Sequence, residues 1–186
     1  MSPLELAVWR EVPAAVASDE LRHHGVLSAI RPLFVSRPFV GQAFTIEVQL
    51  KKSVPPREAL KHAWPGACVV IDARATPDAA VWGGNLIRIA RDRGVVAVIV
   101  DGNVRDVADL RDSGLAVCSG GVTPRGPTWS GTFGIPIHCG GVEVWPGDLI
   151  IGDEDGVVAV PLAAVNDDLL AHCRARMARD AKESTA

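Results

Sequence analysis

Lysine is scarce in this chain: its 186 residues include only Lys51, Lys52, Lys61 and Lys182. Chemistry through a Schiff base needs a buried, desolvated amine, and only Lys51 or Lys52, at the end of an expected strand, is a candidate. The cysteines Cys68, Cys118, Cys139 and Cys173 lie far apart with no C-x-x-C pair, so neither a zinc knuckle nor a redox dithiol is indicated. They read as buried, reduced thiols acting as small hydrophobes. The five histidines (His23, His24, His62, His138 and His172) show no H-x-x-x-H spacing. No run approaches the roughly 18 apolar residues needed to cross a bilayer. The phosphate-loop pattern G-x-x-x-x-G-K-[ST] and the nucleophile elbow G-x-S-x-G are both absent, which removes the chemistry of those two enzyme classes. Asp153-Glu154-Asp155-Gly156 resembles a calcium loop, but its glycine is at the wrong offset and Ala164 stands where the twelfth-position Glu belongs, so it reads as a solvated hairpin turn.

What is present is ordinary globular composition, 48% hydrophobic and 22% charged. A net charge of −3 gives no overall pull toward nucleic acid or an anionic membrane. Arg174, Arg176 and Arg179 read as a solvated helix face. The opening Met1-Ser2-Pro3-Leu4-Glu5 has an acid where a signal peptide would have bases, so a cytoplasmic protein is expected. With no repeat, low-complexity tract or Ser/Gly linker, residues 1–186 are expected to form one domain.

Two short helices are expected in the first 30 residues, the second starting at Ser18-Asp19 with Ser18 as its cap. Alternation from Gly41 to Leu50 predicts a half-buried strand, ended by Pro55-Pro56. Arg57 to Ala63 reads as a short helix, and Cys68 to Ile71 as a buried strand ending at Asp72. A helix from about Asn85 to Arg93 stops at Gly94. The apolar run Val95–Val100 predicts a second buried strand ending at Asp101-Gly102, followed by a helix from about Val104 to Asp112, stopped by Gly114. Ile135–Cys139, Val142–Val144, Asp148–Ile151 and Val157–Val160 read as a β-meander, and a C-terminal helix is expected over about 162–182, with the tail after it fraying. The total is a mixed α/β domain of about eight strands.

Two segments carry the chemistry. In Trp82-Gly83-Gly84-Asn85-Leu86, adjacent glycines open a helix, so backbone amides can approach an anion at its positive end. In Asp101-Gly102-Asn103-Val104-Arg105-Asp106-Val107-Ala108-Asp109, Arg105 supplies a planar fork for a carboxylate at the end of a buried strand. Asp106 and Asp109, three apart, offer hard oxygens to Mg²⁺ or Mn²⁺, directly or through water. Taken alone, the pattern also fits a surface pair between Arg105 and Asp109, with the glycines merely turning the chain.

From about Asp19 to Pro161 the sequence resembles the RraA-like proteins, which include the 4-hydroxy-4-methyl-2-oxoglutarate/4-carboxy-4-hydroxy-2-oxoadipate aldolases. The segments that carry the resemblance are Gly83-Gly84-Asn85-Leu86, Val100 through Asp106, Gly121 through Pro127, and Cys139 through Val157 with its Pro146-Gly147-Asp148 turn. The resemblance implies a swivelling-domain-like α/β fold of stacked β/β/α layers. It also implies a ring-like trimer, sometimes paired into a hexamer, with active sites between subunits. Arg105 would bind the substrate's carboxylate and keto oxygen, and Asp106 would anchor the divalent metal, largely through water. Backbone amides of Gly83, Gly84, Asn85 and Leu86 would hold the pyruvyl carboxylate. Many of those aldolases carry an acid where Gly84 stands; the spacing here matches a variant with an acid three residues after the Asp, at Asp109. The C-terminal helix is shorter than in the longer aldolases, and neither Asp180 nor Glu183 can be assigned a role from a motif.

The expected activity is that of a class II, metal-dependent lyase. It cleaves a C–C bond next to a 2-keto acid to give pyruvate and also decarboxylates oxaloacetate, which leaves the same enolate without needing a base for a C4 hydroxyl. The competing reading is a non-catalytic regulator that binds an RNA-degrading enzyme, as the family's name-giving members do; those regulators lack the Arg-Asp pair that is intact here. A related lyase or hydratase on another keto acid is a third. A methyltransferase is unsupported, because no Gly-rich cofactor loop follows a first strand.

Overall fold

Two apolar runs, Ala67–Asp72 and Ala97–Val104, form neighbouring parallel strands at the centre of the molecule. In the computed structural model, residues 1, 3–49, 54–126 and 130–183 are described. Leu50, Lys51, Lys52, Pro127 and the end of the tail (184–186) lie outside these residues. The strands are β1 (Arg31–Phe34), β2 (Phe39–Gln49), β3 (Ala67–Asp72), β4 (Ala80–Trp82), β5 (Ala97–Val104), β6 (Ala116–Val122), β7 (Ser130–Phe133), β8 (Ile137–Cys139), β9 (Val142–Val144), β10 (Leu149–Gly152) and β11 (Val157–Val160). The helices are α1 (Pro3–Ala7), α2 (Ala14–Glu20), α3 (Pro56–Leu60), α4 (Gly84–Asp92), α5 (Val107–Asp112) and α6 (Asp167–Glu183). The main sheet runs β1-β6-β5-β3-β2-β10-β11, with β4 beside the end of β5 and β7 beside the end of β2. Its centre, β2-β3-β5-β6, is parallel, and its margins are antiparallel.

Alternate residues of the central strands feed two cores, and this produces the three layers. Val69, Ile71, Val98 and Val100 pack under Leu60 of α3, Ile87 of α4 and Leu110 of α5. Cys68, Val70, Ala97 and Ile99 face the other way, onto Ile137 and Cys139 of β8 and Val144 of β9, which form a small second sheet. Each fully buried Leu or Ile contributes about 1.5–3 kcal/mol of transfer free energy, so neither face can be left open to water. The stacked β/β/α reading therefore holds. A third core joins α1–α2 and α6 to β10 and β11, and Arg176 and Arg174 clamp it from outside through Asp19 (2.6 Å) and Glu11 (2.6 Å). Arg176 thus ties α6 to α2 and Arg174 ties α6 to the turn before α2, so this is not simply a solvated face. Among the described residues no helix is long and apolar enough to cross a membrane.

Several expectations are corrected. The second helix begins at Ala14, not at Ser18-Asp19; Asp153, from the β10–β11 turn, accepts the Ala14 N–H at 2.8 Å and caps the helix from a distance. Strand β2 is buried along most of its length rather than on alternate residues, because layers cover both of its sides. β5 does not stop at Asp101-Gly102: it bulges there, continues to Val104 beside β4, and α5 starts only at Val107. The C-terminal strands are not one meander, since β8–β9 form their own sheet while β10–β11 extend the main one. The described residues hold eleven strands rather than about eight, and β1, β4, β6 and β7 were not foreseen.

All four cysteines are free and buried, and burial raises each thiol pKa, that of Cys118 to about 12. The folded chain keeps these thiols neutral, whereas an unfolded chain ionises them near 9.0. Their contribution is therefore complete below that pH and is lost as pH climbs through the raised folded values. The urea midpoint should fall as pH rises from 9.0 toward about 12. At neutral pH, Ellman's reagent should titrate all four thiols in urea and none rapidly in the native protein. A fast-reacting native thiol would contradict this packing.

Candidate functional site

Two parallel strands, β4 and the end of β5, deliver the site. Each runs directly into a helix: Trp82 through Gly83 into α4, and Val104 through Arg105-Asp106 into α5. The Arg105 amide donates to the Trp82 carbonyl at 2.9 Å, so the two crossovers lie side by side at the carboxyl ends of the strands. Asp106 takes the left-handed conformation (φ 57°, ψ 49°), which Asp tolerates better than most residues. The side chain does not cap its own helix. Instead its Oδ2 accepts the Gly84 N–H at 2.9 Å, placing a carboxylate at the positive end of α4.

Close approach explains the glycines. A Cβ on Gly83 would sit 2.6 Å from Asp106 Oδ2, and one on Gly84 would collide with the Asp109 carboxylate. Similarly, a Cβ on Gly126 would strike the Arg105 guanidinium. Arg105 Nε lies 3.8 Å from Asp106 Oδ2, and both side chains are 47% exposed. They face a cavity of about 320 Å³ with Gly83, Asn85 and Leu86 in its wall, together with Arg57 of α3. The buried indole N–H of Trp82, whose residue also lines the cavity, has no hydrogen-bond partner among the described residues.

The structure thus brings Arg105, Asp106, Gly83, Asn85 and Leu86 to one mouth. Gly84 is buried behind it, with its amide engaged by Asp106, and the Leu86 amide donates to the Gly83 carbonyl at 3.0 Å. Asp109 does not pair with Arg105. It sits on the far side of the first turn of α4, 3.4 Å from Arg88, in the space that a side chain at position 84 would occupy. Among the described residues no group of three or more His, Cys, Asp or Glu gathers to hold a metal. Asp106 alone suits a hydrated cation of the Mg²⁺ type, which keeps most of its waters and takes one or two carboxylates. Arg57 and Gly126 are site residues that the sequence does not single out, and Trp82, inside a singled-out segment, has no role assigned to it there. Gly126 lay inside a resembling segment, but nothing near Arg57 in sequence ties it to Arg105.

Comparison with known proteins adds to this geometry. The RraA-like family, described as Aldolase/RraA, matches residues 14–159. A protein of Halalkalibacterium halodurans, provisionally named a 4-hydroxy-4-methyl-2-oxoglutarate aldolase, is 33% identical over 82% of this chain and 74% of its own length. The 4-hydroxy-4-methyl-2-oxoglutarate aldolase of Thermus thermophilus is 31% identical over 66% of this chain and 76% of its own. Among solved structures, Streptomyces coelicolor RraAS2, described as an unusual member of the RNase ES inhibitor RraA protein family, superposes with a TM-score of 0.86. That superposition covers 100% of this chain and 96% of the other at 23% identity, a likeness of fold alone.

The Gly84–Asp106 bond separates two substitutions. Asp106→Asn keeps an oxygen acceptor and tolerates the left-handed backbone, so its stability in urea denaturation should stay within about 0.5 kcal/mol of the parent. Asp106→Ala removes the acceptor and places alanine at positive φ, which should cost about 1–2 kcal/mol. Equal stabilities for the two variants would show that the bond does not hold the turns together.

Proposed function

We propose, for a chain that belongs to the RraA-like family, that it is a divalent-metal-dependent lyase releasing pyruvate by cleaving a C–C bond next to a 2-keto acid. In this reading it acts as a 4-hydroxy-4-methyl-2-oxoglutarate aldolase and also decarboxylates oxaloacetate. The supporting observation is the convergence of Arg105 and Asp106, 3.8 Å apart, on one glycine-walled cavity. The names of the aldolase relatives agree with it. Asp106 would hold Mg²⁺ or Mn²⁺, largely through water. Such a cation, when bound, supplies positive charge at the keto oxygen, where enolate charge develops.

The chain's own groups do the rest. The Arg105 guanidinium donates to the substrate's carboxylate and keto oxygen, holding the carbonyl in the orientation that lets the breaking bond overlap it. Gly83, Asn85 and Leu86 close the wall around the pyruvyl end. In the retro-aldol direction the C4 hydroxyl proton passes to a water held by Asp106, the one acid of the cavity wall among the described residues, and C4 becomes a carbonyl. The C3–C4 electron pair moves into the enolate, and a proton at C3 completes pyruvate. With oxaloacetate the same pair is released as CO₂ departs, and no hydroxyl proton has to be removed. The catalytic residues of this reading are Arg105 and Asp106; Asp109, expected beside them, is paired with Arg88 at 3.4 Å and lies outside the cavity wall. It further takes the enzyme as cytoplasmic and as a ring-like trimer or a hexamer, with neither nucleic acid nor membrane as a partner.

The alternative, a non-catalytic regulator of an RNA-degrading enzyme, draws on the likeness to Streptomyces RraAS2, which belongs to a family of RNase ES inhibitors. The intact Arg105-Asp106 pair, aimed into a cavity of substrate size, favours the enzyme. A lactate-dehydrogenase-coupled assay with oxaloacetate and Mg²⁺ or Mn²⁺ should show pyruvate release above the metal-only blank, abolished by EDTA. Arg105→Ala should lower kcat/KM about a hundredfold or more, the usual effect of removing a donor to developing charge. Undiminished pyruvate release by that variant would overturn the site. Absence of turnover on both oxaloacetate and 4-hydroxy-4-methyl-2-oxoglutarate would favour the regulator.

A further inference from the structure

Arg57 is a part of the mouth that this chemistry leaves unused. It follows Pro56 at the start of α3 and lines the same cavity as Arg105, although 48 residues separate them in sequence. Some other arginines are tied to acids: Arg74 to Asp72 at 2.7 Å, Arg88 to Asp109 at 3.4 Å, Arg176 to Asp19 at 2.6 Å. Arg105 has Asp106 beside it. The guanidinium of Arg57 has no hydrogen bond or ion pair among the described residues. Asp106 is the single acid in the lining among those residues, so the cavity carries two cationic groups against one anionic group. Ala80, Val81, Trp82 and Leu86 make the rest of the wall largely apolar. The volume, about 320 Å³, lies at the small end of ligand pockets, which run from about 300 to 1,000 Å³.

We propose that Arg57 is a specificity-determining residue that binds the distal carboxylate of the substrate, restricting this enzyme to 2-keto acids that carry a second carboxylate. This rests on the lyase reading of the same site. With Arg105 engaged at the keto-acid end, a monocarboxylate leaves Arg57 without a counter-ion, whereas a short diacid gives each guanidinium a planar, two-oxygen partner. Arg57 is exposed, so its attraction for the anion is screened by salt.

The test compares two five-carbon keto acids that differ at the far end, 2-oxoglutarate and 2-oxopentanoate. Binding of each is measured by calorimetry to the full chain with Mg²⁺ present. The parent should bind 2-oxoglutarate about tenfold more tightly, as expected for one charge-assisted pair in a half-open site. Arg57→Gln should erase that ratio by weakening 2-oxoglutarate alone, and Arg57→Lys should restore part of it. The ratio should also shrink as ionic strength rises. Equal affinities in the parent, or an Arg57→Gln variant that weakens both ligands alike or neither, would overturn the role of Arg57 while leaving the lyase reading intact. A parent that binds neither keto acid would overturn both.

Discussion

The bond from the Gly84 amide to Asp106 Oδ2 is the constraint on which the mouth depends. It links the turn that opens α4 to the turn that opens α5. Without it the two crossovers would be joined near the site by the backbone contact from Arg105 to Trp82 and by the exposed Arg88–Asp109 pair. The bond also decides where the charges lie. Asp106 stands at the N-cap of α5 yet turns its carboxylate to α4, and Asp109 approaches the same first turn from the other side. Two acids so placed would repel each other. The positive end of a nine-residue helix favours both, and each has its own guanidinium: Arg105 at 3.8 Å for Asp106 and Arg88 at 3.4 Å for Asp109.

Three glycines make this arrangement possible through close approach rather than unusual backbone angles, since Gly83, Gly84 and Gly126 are all outside the positive-φ set. Each clears the volume taken by one side chain: Asp106, Asp109 and Arg105 respectively. At Gly84 a side chain and the carboxylate of Asp109 would compete for one volume, so any other residue there requires the half-exposed Asp109 side chain to turn away.

The legible parts of the fold were those whose physics is local. β3 and the first half of β5 are covered on both faces and so appear as unbroken apolar runs, and α4 and α5 end at Gly94 and Gly114, both with φ 74°. Elements supported by distant partners were not legible. β4 is three residues long and exists because β5 pairs with it. β6 contains the weak strand formers Ser119-Gly120-Gly121 but is held by β5 on one side and β1 on the other. The start of α2 depends on Asp153, 139 residues away. The same division holds at the site. Arg105, Asp106 and the glycine pair were readable because strand end, charge and helix start are contiguous. Arg57 was not, because it reaches the cavity only through the packing of α3.

The site also explains why β5 is irregular. Gly102 has φ 155°, and a Cβ there would lie 2.7 Å from that of Ala73, so the strand bends where no other residue fits. Just before the bend, Asp101 accepts the Gly140 N–H at 2.9 Å, fastening the strand to the β8–β9 turn. The bend moves the end of β5 off its β3 neighbour and onto β4, with Val104 opposite Trp82. Arg105 emerges from that displaced end. A straight β5 would keep β3 as its partner and leave the Trp82 carbonyl without the Arg105 amide. The guanidinium would then lose its wall at Gly126. The backbone of Arg105 is therefore set by the Trp82 carbonyl, while its half-exposed guanidinium lies against Gly126 and 3.8 Å from Asp106.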